Sequence, residues 1–179
     1  ALPLDGTPIE LGDSDKVSER QRVLTLGHSE PRATELVVIS RKPFVGSWEY
    51  LLDQAIFTFP PVNNWSGAAL MTDDGKLIGI GSLMVNDAAS SQPGVPGNMF
   101  VPINLLKPII GDLMAKGRRS GPARPWLGLT TETVRGNLII SRVTQRGPAA
   151  QAGLVPGDII VGVGETRVDD QLALYRGIW

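Results

Sequence analysis

At 179 residues, with 42% hydrophobic and 20% charged residues, the chain has the make-up of one globular domain or two small ones. Its formal net charge of -1 argues against nucleic acid or an anionic membrane as the main partner, because phosphate binding needs a basic excess. Cysteine is absent, so disulfides and thiolate metal sites are excluded; histidine occurs once, at His28, so a zinc site built from histidines is not expected, nor is any metal or cofactor.

No apolar run reaches the ~20 residues of a membrane span. The opening Ala1-Leu2-Pro3-Leu4 lacks the basic-then-apolar pattern of a signal peptide. Residues 1–20 are acidic and turn-rich, with Leu11-Gly12-Asp13-Ser14-Asp15-Lys16-Val17 as a compact loop. Alternation over 22–27 predicts a strand ended by Gly27 and Pro31, and 34–40 a second, more buried one. Residues 48–59 fit a short helix or a strand; extended structure over 53–58 is preferred, because Pro60-Pro61 biases what precedes it. Residues 70–72 and 77–83 form a hairpin about Asp73-Asp74-Gly75.

After a polar loop, 98–103 reads as a strand closed by Pro102. Asn104 is expected to cap an amphipathic helix over 105–116, with Pro108 in its first turn and Gly117 at its end. Its Leu/Ile face is expected in the core, as are Trp48 and Trp126. The stretch 118–125, among the basic residues Lys116, Arg118, Arg119 and Arg124, reads as a solvated linker between a unit 1–117 and a unit 126–179. Beyond it come Trp126-Leu127-Gly128-Leu129, a strand over 137–143, a small-residue helix at 148–152 and an apolar strand over 159–163. A last helix starts at Asp169 or Asp170 and sets Leu172, Tyr175 and Trp179 on one face.

Chemistry points to Asn63-Asn64-Trp65-Ser66-Gly67-Ala68-Ala69-Leu70. A serine on a tight turn flanked by small residues has an exposed hydroxyl and backbone N–H groups free to receive an oxyanion, which acyl chemistry needs. For Ser-Gly alone an ordinary turn serine is the simpler reading, and Ser120-Gly121 shows how common the pair is. What distinguishes Ser66 is the order of its surroundings.

That order resembles the HtrA/Deg family of trypsin-like serine proteases with a C-terminal PDZ domain. Leu11-Gly12-Asp13-Ser14-Asp15 resembles the loop entering the second protease barrel. Asn64-Trp65-Ser66-Gly67-Ala68-Ala69-Leu70 is similar to the Gly-Asn-Ser-Gly-Gly-Pro-Leu nucleophile segment, with Asn64 in place of glycine. Asp74-Gly75-Lys76-Leu77-Ile78-Gly79-Ile80 resembles the hairpin that follows, and Phe100-Val101-Pro102-Ile103 the closing strand. Trp126-Leu127-Gly128-Leu129 is similar to the PDZ carboxylate-binding loop, and Gly147-Pro148-Ala149-Ala150-Gln151-Ala152-Gly153-Leu154 with Gly157-Asp158-Ile159-Ile160 to the PDZ core.

The resemblance implies a mostly β fold: the C-terminal chymotrypsin-like antiparallel β-barrel of a protease, then a small α/β PDZ-like domain that stops short. It implies Ser66 as nucleophile, the N–H groups of Asn64 and Ser66 as oxyanion hole, and Gly79, Ile80, Gly81 and Ser82 as the strand that pairs with substrate. It further implies Trp126, Leu127, Gly128 and Leu129 as carboxylate loop, with Leu172 and Tyr175 on the groove helix; simple core packing is the other reading of those two. In this fold the triad His and Asp precede the serine and come from the other barrel, so both are expected upstream of Ala1 and the piece alone inactive. His28 is read as a surface loop residue.

Two functions stay open. One is a serine endopeptidase acting on unfolded or misfolded proteins, with a PDZ module for protein C-termini. The other is a catalytically degenerate scaffold that binds peptides without cleaving them, suggested by the replaced glycine at Asn64. The resemblance also implies the bacterial envelope or periplasm and a homo-oligomer, a trimer, in the parent.

Overall fold

Alternating apolar residues build the first half of the chain into a closed antiparallel barrel. The computed structural model describes residues 6–28 and 32–179. The opening Ala1-Leu2-Pro3-Leu4 and the expected strand-ender Pro31 lie outside the described residues. Two compact units are present, Ala1–Lys42 with Gln54–Ser120, and Pro43–Asp53 with Gly121–Trp179.

The strands β1 (Arg22–Leu26), β2 (Thr34–Gly46), β3 (Tyr50–Phe59), β4 (Ala69–Met71), β5 (Leu77–Val85) and β6 (Gly97–Pro102) close in the order β1-β2-β3-β6-β5-β4, with residues 43–46 of β2 and 50–53 of β3 counted in the second unit. β1 shows why: Val23 and Thr25 point inward while Arg22 and Leu26 face out, the two-residue period of a half-buried strand. Val23, Leu36, Val38, Ile56, Leu70, Ile78 and Phe100 form the core. Burying each such side chain stabilises by roughly 1.5–3 kcal/mol, which drives closure. The Asp73-Asp74-Gly75 turn forms as expected, with Gly75 at φ 81° and its N–H donating to Thr72 O. β3 is extended over its whole length, so the strand reading of 53–58 holds and reaches further.

The helix expected over 105–116 is shorter. A 3-10 turn spans Ile103–Leu105, and α1 (Ile110–Lys116) begins two residues past Pro108. Pro108 has no N–H for a helical bond to residue 104 and disfavours helical backbone just before it, so the regular helix starts beyond it. Asn104 is therefore not the cap. Its Nδ2 donates to Asp13 Oδ1 at 2.7 Å, and its N–H to Ser14 Oγ at 3.1 Å. No residue of α1 is buried and Met114 is 83% exposed, which overturns the expected core face. Trp48 and Trp126 are likewise exposed. Gly117 does end the helix, at φ 68°.

The second unit holds a three-stranded antiparallel sheet of β7 (Leu129–Val134), β8 (Asn137–Val143) and β9 (Ile159–Ile160). α2 (Pro148–Gln151) follows β8, and β10 (Gly162–Val163) and β11 (Thr166–Arg167) make a separate small ribbon. The single strand expected over 159–163 is thus broken at Val161, whose carbonyl accepts from Val168 N. α3 (Gln171–Ile178) is capped by Asp170, whose carboxylate accepts the Ala173 N–H. Leu129, Leu138, Ile140, Leu174 and Tyr175 form the core, and Val45 and Leu51 pack against it.

Candidate functional site

Ser66 stands exposed on the turn between β3 and β4. The turn is closed by Ala68 N donating to Trp65 O at 3.0 Å, and Gly67 takes its left-handed residue at φ 71°. Asn64 is not among the positive-φ residues. Two bonds stitch the turn to β5: Gly67 N to Gly81 O at 2.9 Å, and Gly81 N to Ala68 O at 2.8 Å. The approach is so close that a Cβ on Gly81 would stand 1.8 Å from Trp65 O, and one on Gly27 would stand 2.4 Å from Asn64 O. Glycine is required at both places because only a bare backbone fits. The serine thereby sits on a turn tied to β5 by two backbone bonds, and the residue is exposed.

His28 follows Gly27 and is exposed. Among the described residues no cluster of three metal-ligating side chains occurs. Among the described residues no helix is long and apolar enough to cross a membrane.

The segment 79–82 needs correction as a substrate edge. Gly79 and Ile80 pair with Leu70 and Ala69 on one side and with Pro102 and Val101 on the other. Gly81 pairs with Phe100, and both its N–H and its C=O are bonded to the Ser66 turn. Their backbone groups are used inside the barrel, since β5 lies between β4 and β6. The pairing slips between Gly81 and Leu83, and from there on β5's strand partners, Met99 to Gly97, all lie on β6. Of the four residues, Ser82 alone sits at that break.

A second constellation lies in the other unit. The N–H groups of Leu127, Gly128 and Leu129 converge on a single carboxylate, that of Glu49, at 2.8, 2.6 and 2.9 Å. Gly128, at φ 77°, turns successive N–H groups to one side, which makes a concave anion-binding nest. Trp126 gives no hydrogen bond there; its indole lies beside Gly128. On α3, Leu172 is half-buried and Tyr175 fully buried. The Tyr175 hydroxyl accepts the Glu49 N–H at 2.9 Å and donates to Gly46 O at 2.8 Å. Burial chiefly pushes the Tyr175 phenol above its usual pKa. Tyr175 also stacks on Trp179, whose indole N–H donates to Pro125 O.

Sequence reasoning passed over Glu49, Ser47 and Gly46. The available signal was an acidic residue in a turn-prone run, Gly46-Ser47-Trp48-Glu49, just ahead of a strand.

The fold and this nest define a class: a closed antiparallel barrel resembling that of HtrA-type proteases, followed by a small unit that resembles a PDZ domain. The PDZ domain family matches residues 139–176. A probable periplasmic serine endoprotease DegP-like from Marinomonas sp. is 30% identical over 178 residues, covering 89% of this chain and 36% of that protein. A serine protease Do-like HtrA from Lactococcus lactis is 33% identical over 132 residues, covering 62% of this chain and 32% of that protein. In fold, the chain is similar to the HtrA-type protease AlgW with tripeptide, at TM-score 0.59 and 22% identity, covering 99% of this chain and 61% of that one.

The chain is similar to HtrA-type serine proteases over most of its length, and the PDZ match falls inside its second unit. It is mostly β, with antiparallel sheets resembling the C-terminal barrel of an HtrA protease followed by PDZ. It spans about a third of the length of the curated relatives it matches.

Proposed function

We propose that the whole protein is a serine endopeptidase with Ser66 as its nucleophile and unfolded or misfolded proteins as substrates. The observation that carries this is the Ser66 turn itself, exposed yet fixed through Gly81 and Gly27. The relatives named serine proteases lend it weight. Ser66 Oγ would attack the scissile carbonyl, passing its proton to a histidine oriented by an aspartate, both supplied from outside these 179 residues. The N–H groups of Asn64 and Ser66 would receive the oxyanion. The substrate backbone would pair from Ser82 onward, where β5 runs past its last bond to the Ser66 turn. By itself the chain would be inactive, because a serine hydroxyl without a base is a weak nucleophile.

A fluorophosphonate probe on the whole protein tests this. Labelling that disappears in Ser66→Ala supports the reading; absence of labelling under every condition removes it. The second reading, a scaffold that binds without cleaving, is favoured by Asn64 standing where the family has glycine. It predicts no labelling together with intact peptide binding.

The PDZ unit would bind protein C-termini, with the N–H groups of Leu127, Gly128 and Leu129 receiving the terminal carboxylate and β7 pairing with the ligand backbone. The convergence of those three N–H groups on one carboxylate supports this. Leu172 would touch the ligand's last apolar side chain, with Tyr175 behind it. The resemblance to periplasmic relatives favours the cell envelope, and the family likeness a trimer.

A further inference from the structure

The nest at residues 127–129 is filled by the chain itself. Resting on the reading of this unit as a binder of C-termini, we infer that the turn 46–50 is an internal ligand of the PDZ domain: the Glu49 carboxylate holds the place of a terminal carboxylate, and an incoming C-terminus must displace it.

Four observations within this unit carry the inference. The Glu49 carboxylate takes all three converging N–H groups, with both oxygens engaged, as a terminal carboxylate would. Two residues earlier in the turn, Ser47 O accepts the Thr131 N–H of β7 at 3.3 Å. A carboxylate at the nest and a main-chain bond two residues back along the neighbouring strand is the pattern of a peptide added to a sheet edge.

The turn is also made to hold this pose. Tyr175 bridges Glu49 N and Gly46 O, while Val45 and Leu51 pack on the unit's apolar core. Within and beside the turn, the rings of Phe44, Trp48 and Tyr50 cluster with centroids 6.0 to 6.2 Å apart. Finally, Glu49 has φ 60°, a backbone conformation that glycine or asparagine takes far more readily. A long acidic side chain at such a position is explained by what its carboxylate does. A docked turn lowers the apparent affinity for any outside C-terminus in proportion to the fraction of molecules left open.

The test compares peptides ending in a free carboxylate with their amidated forms, titrated against the 179-residue chain and two variants. Glu49→Gly suits the left-handed backbone and removes the carboxylate; Glu49→Gln keeps the length and removes the charge. With the turn docked in nine molecules of ten or more, Glu49→Gly should bind the free-carboxylate peptide at least about tenfold tighter than the unaltered chain. Glu49→Gln should fall between, and the amidated peptide should gain nothing.

Equal, carboxylate-dependent affinity in the unaltered chain and in Glu49→Gly would overturn the internal ligand while leaving C-terminus binding intact. No preference for the free carboxylate even in Glu49→Gly would remove the C-terminus reading and the internal ligand with it. Hydrogen exchange on the unaltered chain gives a reading independent of mutation. Saturating peptide should speed exchange of the Glu49 N–H as its bond to Tyr175 opens; unchanged or slower exchange there overturns displacement.

Discussion

The Tyr175 hydroxyl donates to the Gly46 carbonyl across 2.8 Å, joining residues 129 positions apart inside one unit. Replacing Tyr175 by Phe leaves that buried carbonyl and the Glu49 N–H without a partner, at a cost of about 1–3 kcal/mol. The pH dependence follows from the raised phenol pKa, whose ordinary value is 10.0. The neutral phenol's contribution is full below that value and fades as pH rises through the folded one. Denaturant unfolding should therefore show the unaltered chain losing stability above about pH 10, with Tyr175→Phe less stable at neutral pH and flatter in the alkaline range.

Gly81→Ala and Gly111→Ala should move stability in opposite directions. A methyl group on Gly81 would meet Trp65 O at 1.8 Å, backbone against backbone, so the Ser66 turn must shift. Overpacking of this kind costs about 1–3 kcal/mol or more. A methyl group on Gly111, inside α1, would meet nothing within 4 Å beyond its own helix backbone and chain neighbours. Alanine there should stabilise the helix by about 0.5–1 kcal/mol. Urea midpoints of the two variants check both signs.

Asn104→Ala should weaken the first unit in a pH-dependent way. The Asn104 side-chain amide is the main cause holding the Asp13 carboxyl below its ordinary 3.8, with the Asp15 N–H next. A depressed folded pKa contributes stability above the unfolded value, and that contribution is lost as pH falls through the folded one. The gap in unfolding midpoint between the unaltered chain and Asn104→Ala should thus be widest near neutral pH and narrow below about pH 4.

Asp53→Asn should change little. Asp53 meets Arg176 at 3.0 Å, but both side chains are mostly exposed. Such pairs contribute about 0–1 kcal/mol and are screened by salt. A melting-temperature loss that persists at high salt would contradict this.

Much of the fold was legible because its signals are local. Alternation in 22–26, the Asp-Gly turn at 74–75, Gly117 as helix stop and Asp170 as cap each act within a few residues of themselves. The overestimated helix at 105–116 failed on a local conflict as well: apolar spacing argued for helix, and Pro108 prevailed. Burial was read poorly at Trp48, Trp126 and Met114, since residue type alone does not say which apolar face finds a neighbour.

The amino-acid order by itself determined which segments are strands and turns and where the serine and the glycines beside it fall, because backbone preference and side-chain period are properties of short stretches. Chain closure decided the rest: that β5 is paired on both sides, that Asn104 reaches Asp13, and that Glu49 enters a nest 78 to 80 residues away. Hydrogen-bond partners at such separations are chosen when sheets register and cores pack, and no local pattern encodes that choice.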